Sequence, residues 1–379
     1  MKILLIARGF ATEKRPMNGN FETSQAKALK GLGHDVIYAS VALRSIRVLN
    51  EVGFQYEKVD GIHVYSLNSF IPFSFLPQKL KEWMRKRLLK HLYKIIENKH
   101  GRPDLMHSHY LRISYLSLDI KRETNIPWVI TEHWSEINKE RLPLEVAKMG
   151  SEVYKEADLV IAVSNALSRR IKQHFNIDAK TIFNMVPSEF FKIPSVKPNK
   201  NTFTFVSVGS LKPIKGHVNL ISAFTNAFKG QEVILKIVGG GPQKKELEQM
   251  ITALNIEKQI ILTGPQSSSS VQELLNNANA FALASNSETF GVVFIEAMAK
   301  GLPVVTTKCG GPEEFINSIN GVLVDVGDVD ALSKALLKVK NNIEEYDGKV
   351  ISEWAWSNFS EESIATRITT EYLKILTKE

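Results

Sequence analysis

The sequence predicts an α/β protein built from two Rossmann-like parallel-sheet domains facing a central cleft, and three observations carry that expectation. Short runs rich in Val, Ile and Leu alternate with longer helix-like segments through both halves of the chain. Those runs are near-continuously apolar, as strands covered on both faces are. At 379 residues the chain exceeds one ordinary core, and Ile193-Pro-Ser-Val-Lys-Pro-Asn-Lys-Asn201, with its two prolines, reads as a linker between two domains.

In the first half the strands are expected at Ile3–Ala7, Val36–Ala39, His63–Ser66, Leu105–His107, Trp128–Thr131 and Leu159–Val163. In the second they are expected at Phe203–Val208, Val233–Val238, Ile260–Leu262, Ala280–Ala284, Pro303–Thr306 and Val322–Val324. Met1-Lys-Ile-Leu-Leu-Ile-Ala7 is too short an apolar run for a signal peptide and reads as the first strand. A last helix starts after Phe359, with Ser360 as its N-cap, and lies outside the second alternation, free to pack back onto the first domain. The expected domains are therefore residues 1–195 plus 357–379, and residues 196–356. Ligands of such sheets bind outside the carboxyl ends of strands, so the residues that follow strands are the candidates.

Hydrophobic content of 44 % with 23 % charged residues is the balance of a globular protein, and no apolar run approaches the roughly 20 residues of a membrane span. Cys309 is the single cysteine, which excludes an intrachain disulfide and a thiolate metal cluster and fits a reducing cytoplasmic setting. The net charge of +8 is uneven: through Ser195 there are 30 Lys+Arg against 20 Asp+Glu, and beyond it 18 against 20. A phosphate-bearing substrate or an anionic surface would prefer the first half.

Several strand ends carry chemistry. Gly19 and Asn20 precede a helix and can bring backbone N–H groups to an anion, although no GxGxxG pattern is present. His107 and His109 close one strand and Glu132 and His133 another, at spacings that match no zinc motif. Isolated histidines are more often structural than catalytic, and two strand ends offering them to one cleft edge shift that balance somewhat toward a site. Lys212 and Lys215 follow the Gly209-Ser210 turn ahead of a helix beginning near His217, where an ammonium beside free N–H groups suits a diphosphate. Gly239, Gly240 and Gly241 with Pro242 make a tight strand-to-helix turn, a need that glycine meets with or without a ligand. In "SNSETFGVVFIEAMAKGLPVV", Glu288 lies in a loop and Glu296 little more than one turn into the helix behind it. Both can face one ligand with the N–H groups of Phe290, Gly291 and Val292, an arrangement suited to the paired hydroxyls of a polyol.

Together these residues resemble the retaining glycosyltransferases of family 4, which have the GT-B fold. The likeness runs through the Gly19 loop, "LKPIKG", "VGGGP", "GGPEEF", "AVSNAL", "TIFNMVPSEFF" with Asn184, and Glu288-Thr-Phe-Gly-Val-Val-Phe-Ile-Glu296, the family's ExFGxxxxE element. It implies that Glu296 holds the ribose of a nucleotide sugar, UDP-linked, and that Glu288 and the backbone of Phe290 to Val292 hold the transferred sugar. It further implies that Lys215 neutralises the leaving diphosphate with help from Gly19, and that His133 lies near the donor sugar and acceptor and is catalytic with Glu288 and Lys215. By the same resemblance His109 and Glu132 lie on the acceptor side, since the first domain of this fold usually takes the acceptor. Ser210 stands where the family commonly has an arginine, which weakens diphosphate neutralisation unless Lys212 or another cation substitutes. The resemblance implies transfer with retained configuration, no cofactor, and no metal; Asp328-Val-Asp330 reads as a helix cap.

Between Lys79 and His100 stand eight Lys/Arg and two Glu, with Leu80, Trp83, Met84, Leu88, Leu92, Ile95 and Ile96 at helical spacing. Residues 72–100 thus suit either an anionic membrane surface, with a lipid-linked acceptor, or packing on the first domain; the two are compatible if Trp83, Phe73 or Phe75 stays exposed. The expectation is a cytoplasmic enzyme of surface polysaccharide or glycolipid assembly with a carbohydrate or lipid-linked acceptor. A sugar-nucleotide epimerase, a phosphorylase and a non-catalytic nucleotide-sugar binding protein remain alternatives. A nucleic-acid partner is disfavoured, because the basic segment lacks interleaved base-stacking aromatics.

Overall fold

The computed structural model describes residues 1–11, 19–44, 52–71, 76–192 and 202–377. The expected linker 193–201 and Phe73 and Phe75 lie outside them. Two compact units form, Met1–Met185 with Glu361–Glu379, and Val186–Ser360.

The first unit holds strands β1 (Lys2–Ala7), β2 (Asp35–Arg44), β3 (Gly53–Val59), β4 (Ile62–Phe70), β5 (Leu105–His109), β6 (Trp128–Glu132), β7 (Leu159–Ala162) and β8 (Lys180–Thr181). They form one sheet in the order β3-β4-β2-β1-β5-β6-β7-β8. Every pairing is parallel except β3 with β4. The exception corrects the all-parallel expectation and has a local cause: Asp60 and Gly61 both take positive φ, 51° and 78°, the two-residue turn whose twist joins antiparallel neighbours.

The helix Glu361–Leu376 belongs to this unit. It sends Ile364, Ala365, Ile368 and Tyr372 into the core with Ile3, Leu5, Val36 and Val129. The Tyr372 hydroxyl is hydrogen-bonded to His107 on β5, so this helix is fixed by a polar contact as well as by burial.

The second unit holds β9 (Phe203–Val208), β10 (Val233–Val238), β11 (Ile260–Gly264), β12 (Ala280–Leu283), β13 (Val304–Thr307) and β14 (Gly321–Val324), in the order β11-β10-β9-β12-β13-β14. All pairings are parallel. On one face Phe205, Leu235, Ile237 and Ala282 meet Leu220, Phe224 and Phe228 of the helix His217–Phe228 and Leu332 and Leu336 of the helix Val329–Asn341. A helix at Gly348–Phe359, not expected from the sequence, packs on the helix Val292–Ala299.

Strand order reverses between β1 and β5 in the first sheet and between β9 and β12 in the second. At a reversal the connecting helices leave to opposite faces and open a crevice at the strands' carboxyl ends. The candidate residues after β1, β5, β9 and β12 are placed by this topology.

The helix Gln78–His100 divides its apolar stripe. Leu89, Leu92, Tyr93 and Ile96 are buried, whereas Leu80 is 40 % and Trp83 52 % exposed. Among the described residues no helix is long and apolar enough to cross a membrane.

Candidate functional site

In the second unit the crevice is assembled from three strand exits. After β9 the chain turns through Gly209 and Ser210 to the 3-10 turn Pro213–Lys215, and Gly216 starts the helix His217–Phe228. Gly216 has φ 62°, and a Cβ there would lie 1.8 Å from the Ala284 carbonyl oxygen at the end of β12. Only glycine lets the helix N-terminus come this close to the neighbouring strand. After β12, the loop from Ser285 is strapped to that turn: Asn286 donates its backbone N–H to Ile214 O at 2.8 Å and its side-chain amide to Pro213 O at 2.9 Å. On its other side Glu288 N donates to Cys309 O at 2.8 Å, beyond β13.

These straps bring together two residues 73 positions apart. Lys215 Nζ donates to Glu288 Oε1 at 2.6 Å, and Ser285 Oγ donates to the same oxygen at 2.7 Å. The pair is largely shielded, with the Lys215 side chain 22 % and the Glu288 side chain 9 % exposed. Two residues expected from sequence to act on a ligand therefore act first on each other. Water exclusion makes the pair stronger than a surface pair and makes an unpaired partner costly.

Glu296 lies on the helix Val292–Ala299, whose first N–H groups lack intrahelical acceptors. It is half-buried, and among the described residues its carboxylate has no hydrogen-bond or ion-pair partner. Burial pushes its pKa up to about 7. The Phe290 ring is 2 % exposed and packs on Phe315 at 5.4 Å and Phe359 at 5.9 Å, so its backbone, the part expected to face a ligand, is the part that can. Gly291 and Val292 open the helix as expected.

Ser210 is half-buried and Lys212 exposed, its ammonium unpartnered among the described residues. The Gly239–Gly241 turn lies against this loop, with Leu211 N donating to Gly240 O at 3.0 Å and a Cβ at Gly241 only 2.4 Å from Leu211 O. Close backbone approach accounts for those glycines. Cys309 is buried, and desolvation pushes its thiol up to about 12, which leaves it inert at neutral pH. Asp328 caps its helix by accepting from Ala331 N at 2.8 Å. Among the described residues no group of three or more His, Cys, Asp or Glu is placed to hold a metal ion.

The first unit's crevice is lined differently. Gly19 heads the helix Asn20–Gly31, with a Cβ there 1.8 Å from Gly9 O, and Asn20 is exposed at the first helical position. Arg8, just after β1, donates to both oxygens of the buried Glu22 at 2.9 and 3.4 Å and lies 3.9 Å over the Tyr110 ring. His133 stacks on Phe21 at 5.7 Å and shares a small cavity with Gln25, Thr131 and Asn184. Burial first, then the Arg8 charge, lowers its pKa to about 3, so the imidazole is neutral.

Two expected acceptor-side residues are corrected. Glu132 is fully buried, and its carboxylate accepts from the backbone N–H groups of Leu111, His133 and Trp134 at 2.8 to 2.9 Å and from Tyr154 Oη at 2.6 Å. Four donors saturate it, so it pins the loop that carries His133. His109 is the last residue of β5, two residues past the expected strand end, and is fully buried, with Nδ1 3.0 Å from His133 Nε2. Burial holds it neutral, and it faces His133 in place of solvent. Sequence reasoning missed Arg8, Glu22, Ser285, Asn286 and the fully buried His217 beside Gly209. Ser285, three residues before Glu288 at a strand exit, was the most discoverable.

Two family profiles match the chain: Glycosyltransferase Family 4 over residues 23–190 and Glycosyl transferases group 1 over residues 188–348. The N-acetyl-alpha-D-glucosaminyl L-malate synthase of Bacillus anthracis is 24 % identical over 378 residues, 95 % of this chain and 94 % of that protein. Sucrose-phosphate synthase of Thermosynechococcus elongatus superposes with a TM-score of 0.80 at 19 % identity, over 100 % of this chain and 99 % of that one. Anabaena HepE in complex with UDP superposes with a TM-score of 0.76 at 20 % identity, over 99 % of this chain and 100 % of that one. HepE has also been solved with UDP-glucose. At these identities the structural likeness shows the fold.

Glu296 has a raised pKa in the folded chain, so between about 4.5 and about 7 the native state binds the proton that the unfolded state has lost. Its contribution therefore favours folding at low pH and is lost as pH rises through about 7. Thermal unfolding of Glu296→Gln against the wild-type chain checks this. The variant is expected to gain stability relative to wild type at pH 8 compared with pH 5, and a pH-independent difference would refute the assignment.

Proposed function

Because the chain belongs to the group 1, family 4 glycosyltransferases and has their GT-B fold, we propose that it moves a hexose-type sugar from a UDP-sugar to a carbohydrate or lipid-linked acceptor with retained configuration. The observation that carries this reading is the Lys215–Glu288 pair at the head of the helix His217–Phe228, with Glu296 one turn into the adjoining helix. The UDP complexes of HepE support the choice of nucleotide.

In this reading the donor diphosphate meets Lys215 and the free N–H groups of the helix beginning at His217. Lys212, exposed and unpartnered among the described residues, supplies the second cation that Ser210 does not. The ribose hydroxyls meet Glu296, whose ionised carboxylate accepts from both. The sugar hydroxyls meet Glu288 and the backbone at Gly291 and Val292. Lysine and helix N-termini stabilise the diphosphate as charge develops on it, so the reaction is proposed to need no metal. The anomeric C–O bond to phosphate breaks as the bond to the acceptor oxygen forms on the same face, and the acceptor proton passes to the leaving phosphate oxygen. No enzymatic nucleophile is required. In the first unit neutral His133, oriented by His109 and carried on the loop pinned by Glu132, is assigned to the acceptor side.

A peripheral contact with anionic membrane, serving a lipid-linked acceptor in surface polysaccharide or glycolipid assembly, is supported by one observation: Trp83 and Leu80 stay exposed on a helix otherwise rich in lysine and arginine. Flotation with vesicles is the check. Binding is expected to anionic vesicles at low salt and to weaken in Trp83→Ala, and no binding at low salt would reject the contact.

A screen of nucleotide sugars for hydrolysis and thermal stabilisation tests the donor assignment. Glu288→Ala is expected to lower turnover roughly 100-fold without weakening UDP binding. Glu296→Ala is expected to weaken UDP binding about tenfold, the loss of about 1.4 kcal/mol. Wild-type kinetics in both variants would remove these residues from the site, and a chain that binds another ligand class but no nucleotide sugar would defeat the reading.

A further inference from the structure

Glu288 is held by one oxygen only. Oε1 accepts from Lys215 Nζ at 2.6 Å and from Ser285 Oγ at 2.7 Å, while among the described residues Oε2 accepts from nothing. The two donors differ in kind. Lys215 carries its ammonium on a flexible four-carbon stem and remains partly exposed. Ser285 is fully buried, and its main chain is fixed because the buried Thr307 hydroxyl donates to its carbonyl oxygen. The next residue, Asn286, is tied to Pro213 and Ile214, and Glu288 itself to Cys309. The segment 285–288 therefore cannot shift without breaking bonds at both ends.

Resting on the donor assignment above, we propose that Ser285 is a positioning residue: its hydroxyl pins Oε1 of Glu288 so that Oε2 is the oxygen offered to the transferred sugar. The need for it arises when a donor binds. A diphosphate draws the Lys215 ammonium toward itself, and the carboxylate loses its longer and more mobile partner. A short hydroxyl on an immobile backbone still holds Oε1, and a charge-assisted bond of this kind fixes orientation better than a swinging ammonium. Preorganisation of this sort acts on the transition state and leaves nucleotide binding alone, since in the donor assignment above ribose meets Glu296 and phosphate meets Lys215 and the helix amides, not Ser285.

The test compares Ser285→Ala and Ser285→Cys with the wild-type chain, using hydrolysis of the best nucleotide sugar from the screen for kcat, calorimetric titration of UDP for affinity, and thermal unfolding for integrity. Cysteine keeps the volume and replaces a strong donor by a weak one. Both variants are expected to lose about tenfold in kcat, equivalent to about 1.4 kcal/mol, while UDP affinity stays within about twofold and the unfolding midpoint stays near wild type. Wild-type kcat in Ser285→Ala, or in Ser285→Cys while Ser285→Ala is slow, overturns the proposal, the second outcome assigning the effect to packing. Parallel loss of kcat, UDP affinity and thermal midpoint overturns it in favour of a structural role. A wild-type chain that turns over no nucleotide sugar overturns both this proposal and the donor assignment, whereas an active wild type with unaffected variants overturns this one alone.

Discussion

The second unit depends on the contact between Lys215 and Glu288, because each lies on a loop whose path is otherwise set by a different strand. The 3-10 turn bearing Lys215 leaves β9, and the loop bearing Glu288 leaves β12, the two strands between which the sheet order reverses. Gly216 against Ala284 and Asn286 against Pro213 close the gap between them at the backbone level. The ion pair then completes the contact with opposite charges in a place that water reaches poorly. A site of this kind places a cation, a carboxylate and a helix N-terminus together before any ligand arrives, which is the preorganisation that electrostatic stabilisation of a leaving phosphate requires.

The first unit uses the same topology with different chemistry. Its reversal point, between β1 and β5, carries Arg8 bound to Glu22 and a neutral histidine held by a second neutral histidine. The Arg8 charge is balanced locally and helps keep His133 unprotonated. Neutral imidazoles and stacked rings suit hydroxyl-bearing molecules, whereas the second unit's Lys215 and Lys212 suit an anion.

Much of the fold was legible because buried parallel strands must be continuously apolar, and all twelve expected strands have counterparts in the sheets. What escaped was whatever lacked that signature. The β3 segment Gly53-Phe-Gln-Tyr-Glu-Lys-Val59 is an edge strand exposed along most of its length, so nothing forced an apolar run, and β8 has only two residues. The candidate site was legible as residue types after strand ends, and Glu288, Glu296, Lys215 and the Gly291 helix start were nominated for it that way. Burial was not legible. Glu132 resembled a ligand carboxylate until Tyr154 and Leu111, neither adjacent to it in sequence, joined the backbone of His133 and Trp134 in saturating it. His109 joined the sheet because the strand runs two residues past His107, and it is buried there. The Ser285 hydroxyl could be seen at its spacing from Glu288, but only coordinates show that it shares an oxygen with Lys215.

The most direct test of the central claim is a crystal structure of the chain with UDP bound. Diphosphate oxygens are expected within hydrogen-bond distance of the Lys215 ammonium or the amides that open the helix His217–Phe228, and ribose hydroxyls on the Glu296 carboxylate. UDP ordered elsewhere, with Lys215 still closed on Glu288 and Glu296 untouched, would contradict it.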